Sequence, residues 1–146
     1  MRFEWARDRF LSPGYGQETD QMSGVELLLD KLTGVPGHVL IIHGDLQAKN
    51  ILVAQSSSWQ AIDPFTCRGD LNAEAALWAV MQQDGSTIEE RVVQLSECHL
   101  LDEGRLRAWC YIYSVAEYRT YIETHAKRIR VFTSALDWRL LARCLA

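Results

Sequence analysis

The sequence predicts an α+β fold, mostly helical, on three observations. Ile51-Leu52-Val53 and Trp59-Gln60-Ala61-Ile62 flank a Ser56-Ser57-Ser58 turn and read as a small β-hairpin. Val39-Leu40-Ile41-Ile42 is wholly apolar and reads as a short buried strand. Beyond Leu71 the apolar residues recur about every 3.6 positions, the period of helices packed on a core. Strands gathered first and helices after them are the pattern of an α+β domain.

The elements follow in order. Residues 1–22 lack clear periodicity, and Pro13, Gly14 and Gly16 mark a loop within them. Gly14-Tyr15-Gly16 follows no strand and has no third glycine, so it reads as a turn rather than a phosphate loop. Ser23-Gly24-Val25-Glu26 has the form of a capping box, opening a helix through Leu27, Leu28 and Leu32 that Gly34 can end. Pro36-Gly37 is a turn. Asp63-Pro64 closes the hairpin, because proline has no amide to donate to a ladder. An alanine-rich helix spans Leu71 to about Gln83. Ser86-Thr87-Ile88-Glu89 is a second capping box, opening a helix with Ile88, Val92 and Leu95 on one face. Leu106, Trp109, Cys110, Tyr113 and Ala116 form one further helical stripe, and Val131, Ala135, Trp138, Ala142 and Leu145 another. Both stripes read as core. The expectation is an irregular segment, 1–22, then one domain, 23–146, in which four helices follow the hairpin.

Composition narrows the function. The chain has 146 residues, 48% hydrophobic and 23% charged, with a formal net charge of -4. That balance argues against a nucleic-acid partner, which leaves a basic footprint. It is compatible with a cationic small-molecule substrate. No run approaches the ~20 apolar residues of a membrane span. The N-terminal residues MRFEWARDRF have no apolar core of a secretory signal, so the expected setting is cytoplasmic. Cys67, Cys98, Cys110 and Cys144 form no CxxC pair and read as reduced thiols in a helical core. His38, His99 and His125 are scattered and carry no assigned role.

One stretch carries chemistry: His43-Gly44-Asp45-Leu46-Gln47-Ala48-Lys49-Asn50. Phosphoryl transfer needs a carboxylate to orient the acceptor hydroxyl and take its proton, and oxygen ligands to hold Mg²⁺ against the phosphates. Kinase loops supply these as an Asp, an Asn five residues later, and an Asp beyond the next hairpin. Asp45 and Asn50 have that spacing, and the hairpin can return Asp63 beside Asn50. Asp45 is thus the candidate base, with Asn50 and Asp63 the candidate Mg²⁺ ligands.

These residues resemble the aminoglycoside phosphotransferase family of the protein-kinase-like superfamily, and within it the aminoglycoside/hydroxyurea resistance branch of streptomycin 6-kinases. The resemblance rests on HGDLQAKNIL at 43–52, WQAIDP at 59–64, Gly69-Asp70, and the run Leu101 to Trp109. It implies ATP and Mg²⁺ as cofactors, Asp45 as catalytic base, and Asn50 and Asp63 as the cofactor-binding metal ligands. It implies an alcohol acceptor on a small molecule, first an aminoglycoside such as streptomycin. His43 is expected to support the loop from behind. Three positions depart from or add to the pattern. Gln47 stands where the family often has His, and Glu74 where it usually has Asp. Lys49 faces either the transferring phosphate or solvent.

The resemblance begins where the family's C-terminal lobe begins. Only 42 residues precede His43, with no G-x-G-x-x-G and one lysine, Lys31. Residues 23–146 are therefore expected to be a protein-kinase-like C-terminal lobe, its small β-hairpin flanking the catalytic loop, with the N-lobe absent. Its open lobe interface should be apolar and invite self-association. Two alternatives stay open: a kinase for another small alcohol, and a truncated remnant or binding module without catalysis.

Overall fold

A computed structural model describes residues 19–35, 37–53, 58–118 and 122–145. The elements run α1 (Thr19–Gly34), β1 (Val39–Ile42), a 3₁₀ turn (Ala48–Asn50), β2 (Ile51–Val53), β3 (Trp59–Ala61), β4 (Cys67–Asp70), α2 (Leu71–Met81), α3 (Ile88–Ser96), α4 (Glu103–Ala116), α5 (Glu123–Ala135) and α6 (Trp138–Cys144). The class is α+β, mainly helical, as the periodicity predicts.

The core is organised around α4, which packs against α1, α2, α3, α5 and α6. Leu106, Cys110, Tyr111, Ile112 and Val115 of α4 are fully buried. Ala73, Ala76 and Ala79 of α2 are also buried, and their small side chains let the two helices approach closely. At the far side α6 meets α1, where the Trp138 ring lies on Gly24; a Cβ there would come within 2.9 Å of Trp138 Cδ2.

The strands form two separate antiparallel pairs. β2 and β3 make the expected hairpin, with Ile51 opposite Ala61 and Val53 opposite Trp59. β1 pairs with β4, Val39 opposite Asp70 and Ile42 opposite Cys67. Cys67-Arg68-Gly69-Asp70 has poor strand character, and the sequence gives no hint of β4. It is extended because the chain must run back along β1 before Asp70 caps α2. A pair of this size covers little. α2 packs on it, while Ile41 of β1 remains 78% exposed, so β1 is not the buried strand its composition suggests.

Other expectations shift by a few residues. α1 starts at Thr19, one turn before Ser23, because Met22 already lies on the apolar face with Val25, Leu29 and Leu32. Ser23 and Glu26 then sit inside the helix rather than at its start. The second capping box is real but one residue later. Thr87 Oγ1 accepts from Glu90 N, and Glu90 accepts from Thr87 N, which frees Glu89 to pair with Arg107. The last stripe is broken into α5 and α6 at Leu136-Asp137, where Asp137 caps α6 through Arg139 N and Leu140 N. Five helices follow the hairpin instead of four, and Val131 is 60% exposed while Ile129 and Phe132 are buried. Of the cysteines only Cys110 is in the core; Cys67, Cys98 and Cys144 are exposed thiols. The loop expected at Pro13–Gly16, the Pro36 side of its turn and most of the Ser56–Ser58 turn lie outside the described residues.

Asp70 joins the strands to the helices. Its carboxylate accepts from Asn72 N and Nδ2, Arg105 Nε and Nη2, and Trp109 Nε1, at 2.7 to 3.0 Å. Arg105 also donates to Leu32 O and Val35 O, which fastens the end of α1. Burial pushes the Asp70 carboxyl up, but the bonds from Asn72, Arg105 and Trp109 outweigh it and hold the group below the usual range. We expect Asp70→Asn to cost about 3–5 kcal/mol in denaturant unfolding near neutral pH, the range for breaking a buried ion pair. A carboxylate with a lowered folded-state pKa stabilises above its unfolded value, so the gap between the two proteins should close as pH falls below about 4. A gap independent of pH would show that the Asp70 charge is not the source.

Candidate active site

The His43–Asn50 loop leaves the end of β1 and is held on three sides. Gly44 has φ +82°, which favours glycine, and a Cβ there would meet Phe65 Cβ at 3.1 Å and Cys67 Sγ at 3.3 Å. Glu74, buried on the first turns of α2, spans the loop with both carboxylate oxygens. One accepts from Gly44 N at 3.0 Å, the other from Leu46 N at 3.1 Å. Two loop amides on one carboxylate fix the backbone on either side of Asp45. His43 supports the loop from behind. Its Nε2 bonds Ile62 O at 2.8 Å, and its Nδ1 faces Asp45 N at 3.4 Å. A ring with hydrogen on Nε2 and a lone pair on Nδ1 satisfies both.

Asp45 and Asn50 are both buried and touch directly. Asn50 Nδ2 donates to Asp45 O at 2.8 Å and to Asp45 Oδ2 at 3.1 Å. The 3₁₀ turn makes this possible by bringing Asn50 N to Gln47 O at 2.9 Å. With its nitrogen committed to Asp45, the Asn50 amide offers Oδ1 as its ligand atom. Gln47 Nε2 donates to Asp45 Oδ1, and Lys49 Nζ lies 3.1 Å from Asp45 Oδ2. Gln47, a departure from the family pattern, and its neighbour Lys49 both stay at the site. Gln47 becomes a donor to Asp45, and Lys49 pairs with it while its own side chain is 64% exposed.

Asp63 follows the hairpin. Ile62 N donates to Asn50 O at 2.9 Å, so the chain returns within one residue of Asn50. Asp63 itself is exposed and has φ +57°, and Thr66 has φ +44°. Two non-glycine residues in the left-handed region mark a turn held by its surroundings, here by Thr66 N on His43 O at 3.1 Å. Among the described residues no group of three His, Cys, Asp or Glu side chains forms a metal cage. One carboxylate and one amide oxygen, if brought to a common ion, suit a hard cation that keeps several waters, and they suit a dehydrated structural metal poorly.

The meeting of Asp45 with Asn50 and the return of the chain at Asp63 are legible in the spacing. The role of Glu74 was half readable: its carboxylate was noted as a departure, and its length is what lets it reach two amides. Gly69-Asp70 and the run Leu101 to Trp109 stand out in the sequence, but nothing in the sequence shows that the Asp70 carboxylate meets Arg105 and Trp109. We expect Glu74→Ala to destabilise the fold by about 2–3 kcal/mol, the scale of hydrogen bonds to a charged group. Amide exchange at Gly44 and Leu46 should speed up more than in α4. Unchanged protection at those two amides would mean that the loop is held by something else.

The chain was compared with known proteins. The family described as aminoglycoside/hydroxyurea antibiotic resistance kinase matches residues 9–120. Streptomycin 6-kinase of Streptomyces griseus is similar, 31% identical over 103 residues, a match covering 64% of this chain and 33% of that protein. The chain thus spans about a third of the length of that relative. No solved structure matches. The family match takes in the whole His43–Asn50 loop, Asp63 and Glu74, so the chain belongs to the aminoglycoside/hydroxyurea antibiotic resistance kinase family.

Proposed function

We propose that this chain carries the catalytic loop of an ATP-dependent phosphotransferase acting on a hydroxyl of a small molecule, with an aminoglycoside such as streptomycin as the first acceptor. One observation carries the reading. A loop clamped by Glu74 buries Asp45 against Asn50, and a hairpin returns the chain at Asp63. Asp45 Oδ would accept the acceptor's hydroxyl hydrogen and orient its oxygen for attack. Asn50 Oδ1 and the Asp63 carboxylate would hold Mg²⁺. When bound, Mg²⁺ neutralises charge on the phosphates of ATP. Gln47, Asn50 and Lys49 all reach the Asp45 carboxylate, which has about four lone-pair positions, so an acceptor hydroxyl can still be taken up. Lys49, with its side chain 64% exposed, is the partner with most room to move.

Residues 23–146 are read as the lobe bearing this loop, working in the cytoplasm, where ATP is supplied. No helix among the described residues is long and apolar enough to cross a membrane. The phosphate-covering loop and strand lysine would come from a second lobe seated over the face that exposes Ile41, Trp59 and Phe65. The same face is where a second copy would associate. The engagement of Asp45 by Lys49 also favours a second reading, a binding module that does not turn over.

The experiment is ATP-dependent phosphorylation of streptomycin and a panel of small alcohols. Asp45→Asn should lower the rate by about 10²–10⁴, the contribution of a positioned base. Mg²⁺-ATP at about 100 Kd should add ~2.7 kcal/mol to stability. A melting shift without transfer to any acceptor would support the binding module. Neither shift nor transfer would reject both readings.

A further inference from the structure

A cavity of about 840 Å³ opens between α3 and α5, and none of its lining residues belongs to the catalytic loop. One wall is apolar, from Val131, Phe132 and Leu136 of α5 and its end. Val131 lies on the side of α5 that the helical stripe assigns to the core, yet it is 60% exposed, because nothing in the described structure packs over it.

The charged lining does not balance. Glu89 is its one carboxylate, and both its oxygens are taken by Arg107, at 2.7 Å each. Arg107 is paired again with Glu103, so this cluster is self-contained. Lys127 and Arg128 remain. Arg128 spends one nitrogen on Gln82 O at 2.7 Å. Glu123 lies one turn before Lys127 on α5 and is exposed, while two other acidic groups are committed elsewhere. Asp84 accepts from Arg91 and Ser86, and Glu90 closes the Thr87 cap. Burial and the neighbouring Arg91 both work against the charged form of Arg128, with Asp84 offsetting only part. Two cations beside an apolar wall, in a chain of net charge -4, make a local preference that the overall charge does not explain.

We propose that this groove binds a small amphiphilic anion, its apolar chain on Val131, Phe132 and Leu136 and its acidic head on Lys127 and Arg128. The volume is within the ~300–1,000 Å³ of small-molecule sites, and an apolar wall with a few convergent polar groups is their usual lining. A polycation is repelled here, so this site is separate from that of an aminoglycoside acceptor. It does not rest on the phosphotransfer reading.

The test is calorimetric titration of the protein with octanoate, octyl phosphate and octylamine. One site is expected for an anionic ligand, with octylamine at least about tenfold weaker, ~1.4 kcal/mol. The stronger of octanoate and octyl phosphate identifies the head group. Lys127→Glu and Val131→Glu alter exposed side chains and should keep the melting temperature, yet each should weaken the anion about tenfold. Equal binding of octanoate and octylamine would reduce the groove to unspecific apolar adsorption and overturn the proposal. So would the absence of binding by both anions, or variants that bind as the unaltered protein does.

Discussion

The Asp70 carboxylate is the point through which the other elements are aligned. It ends β4, caps α2, and takes donors from Arg105 and Trp109 of α4. Arg105 carries the connection to the last turn of α1. Four elements therefore meet at one side chain. Desolvating a carboxylate is costly, and a buried ion pair offsets that cost only when the remaining lone pairs are also satisfied. Here the neutral donors Asn72 and Trp109 supply what Arg105 leaves, so the charge is stabilising despite its burial. Asn72 extends the junction, because its Oδ1 accepts from Asp102 N at the start of α4. The starts of α2 and α4 are thereby fixed to each other.

The geometry of the His43–Asn50 loop follows from this junction. Glu74 is one turn beyond the Asp70 cap, so the position of its carboxylate is set by where α2 begins. A carboxylate one methylene shorter at this position would have to draw the loop toward the helix to reach both Gly44 and Leu46. The longer Glu74 spans them with the loop standing off, at 3.0 and 3.1 Å. Asp45 is then presented between two fixed amides and is not free to follow its own side-chain contacts. Asn50, Gln47 and Lys49 adapt to it.

What could be read from the sequence was local. The hairpin strands and their Asp-Pro stop lie within a few residues of one another, and the loop motif is a fixed spacing. These need no knowledge of the rest of the chain. β4 could not be read, because Arg68, Gly69 and Asp70 have no strand preference and are extended only by pairing with β1. The division between α5 and α6 was hidden for a similar reason. Val131, Ala135, Trp138 and Ala142 keep a helical period straight across Asp137, and only the cap at Asp137 shows that the axis breaks. β1 was misjudged because four apolar residues in a row imply two covered faces, and this sheet covers one.

That uncovered face leads to the last step. In the helical half α4 packs against α1, α2, α3, α5 and α6, and most of its residues are buried. The strand half is more open. Phe65 is 80% exposed and Trp59 75%, Ile41 and Val53 are exposed as well, and among the described residues each strand has one partner. Two-stranded pairs are marginal in water without further packing. The His43–Asn50 loop lies where the two halves join. Its inner side is held by Glu74 on α2 and by the His43 bond to Ile62 O. On its outer side Lys49 and Asp63 are exposed. A loop fixed from within keeps its backbone in place while these outer side chains stay accessible.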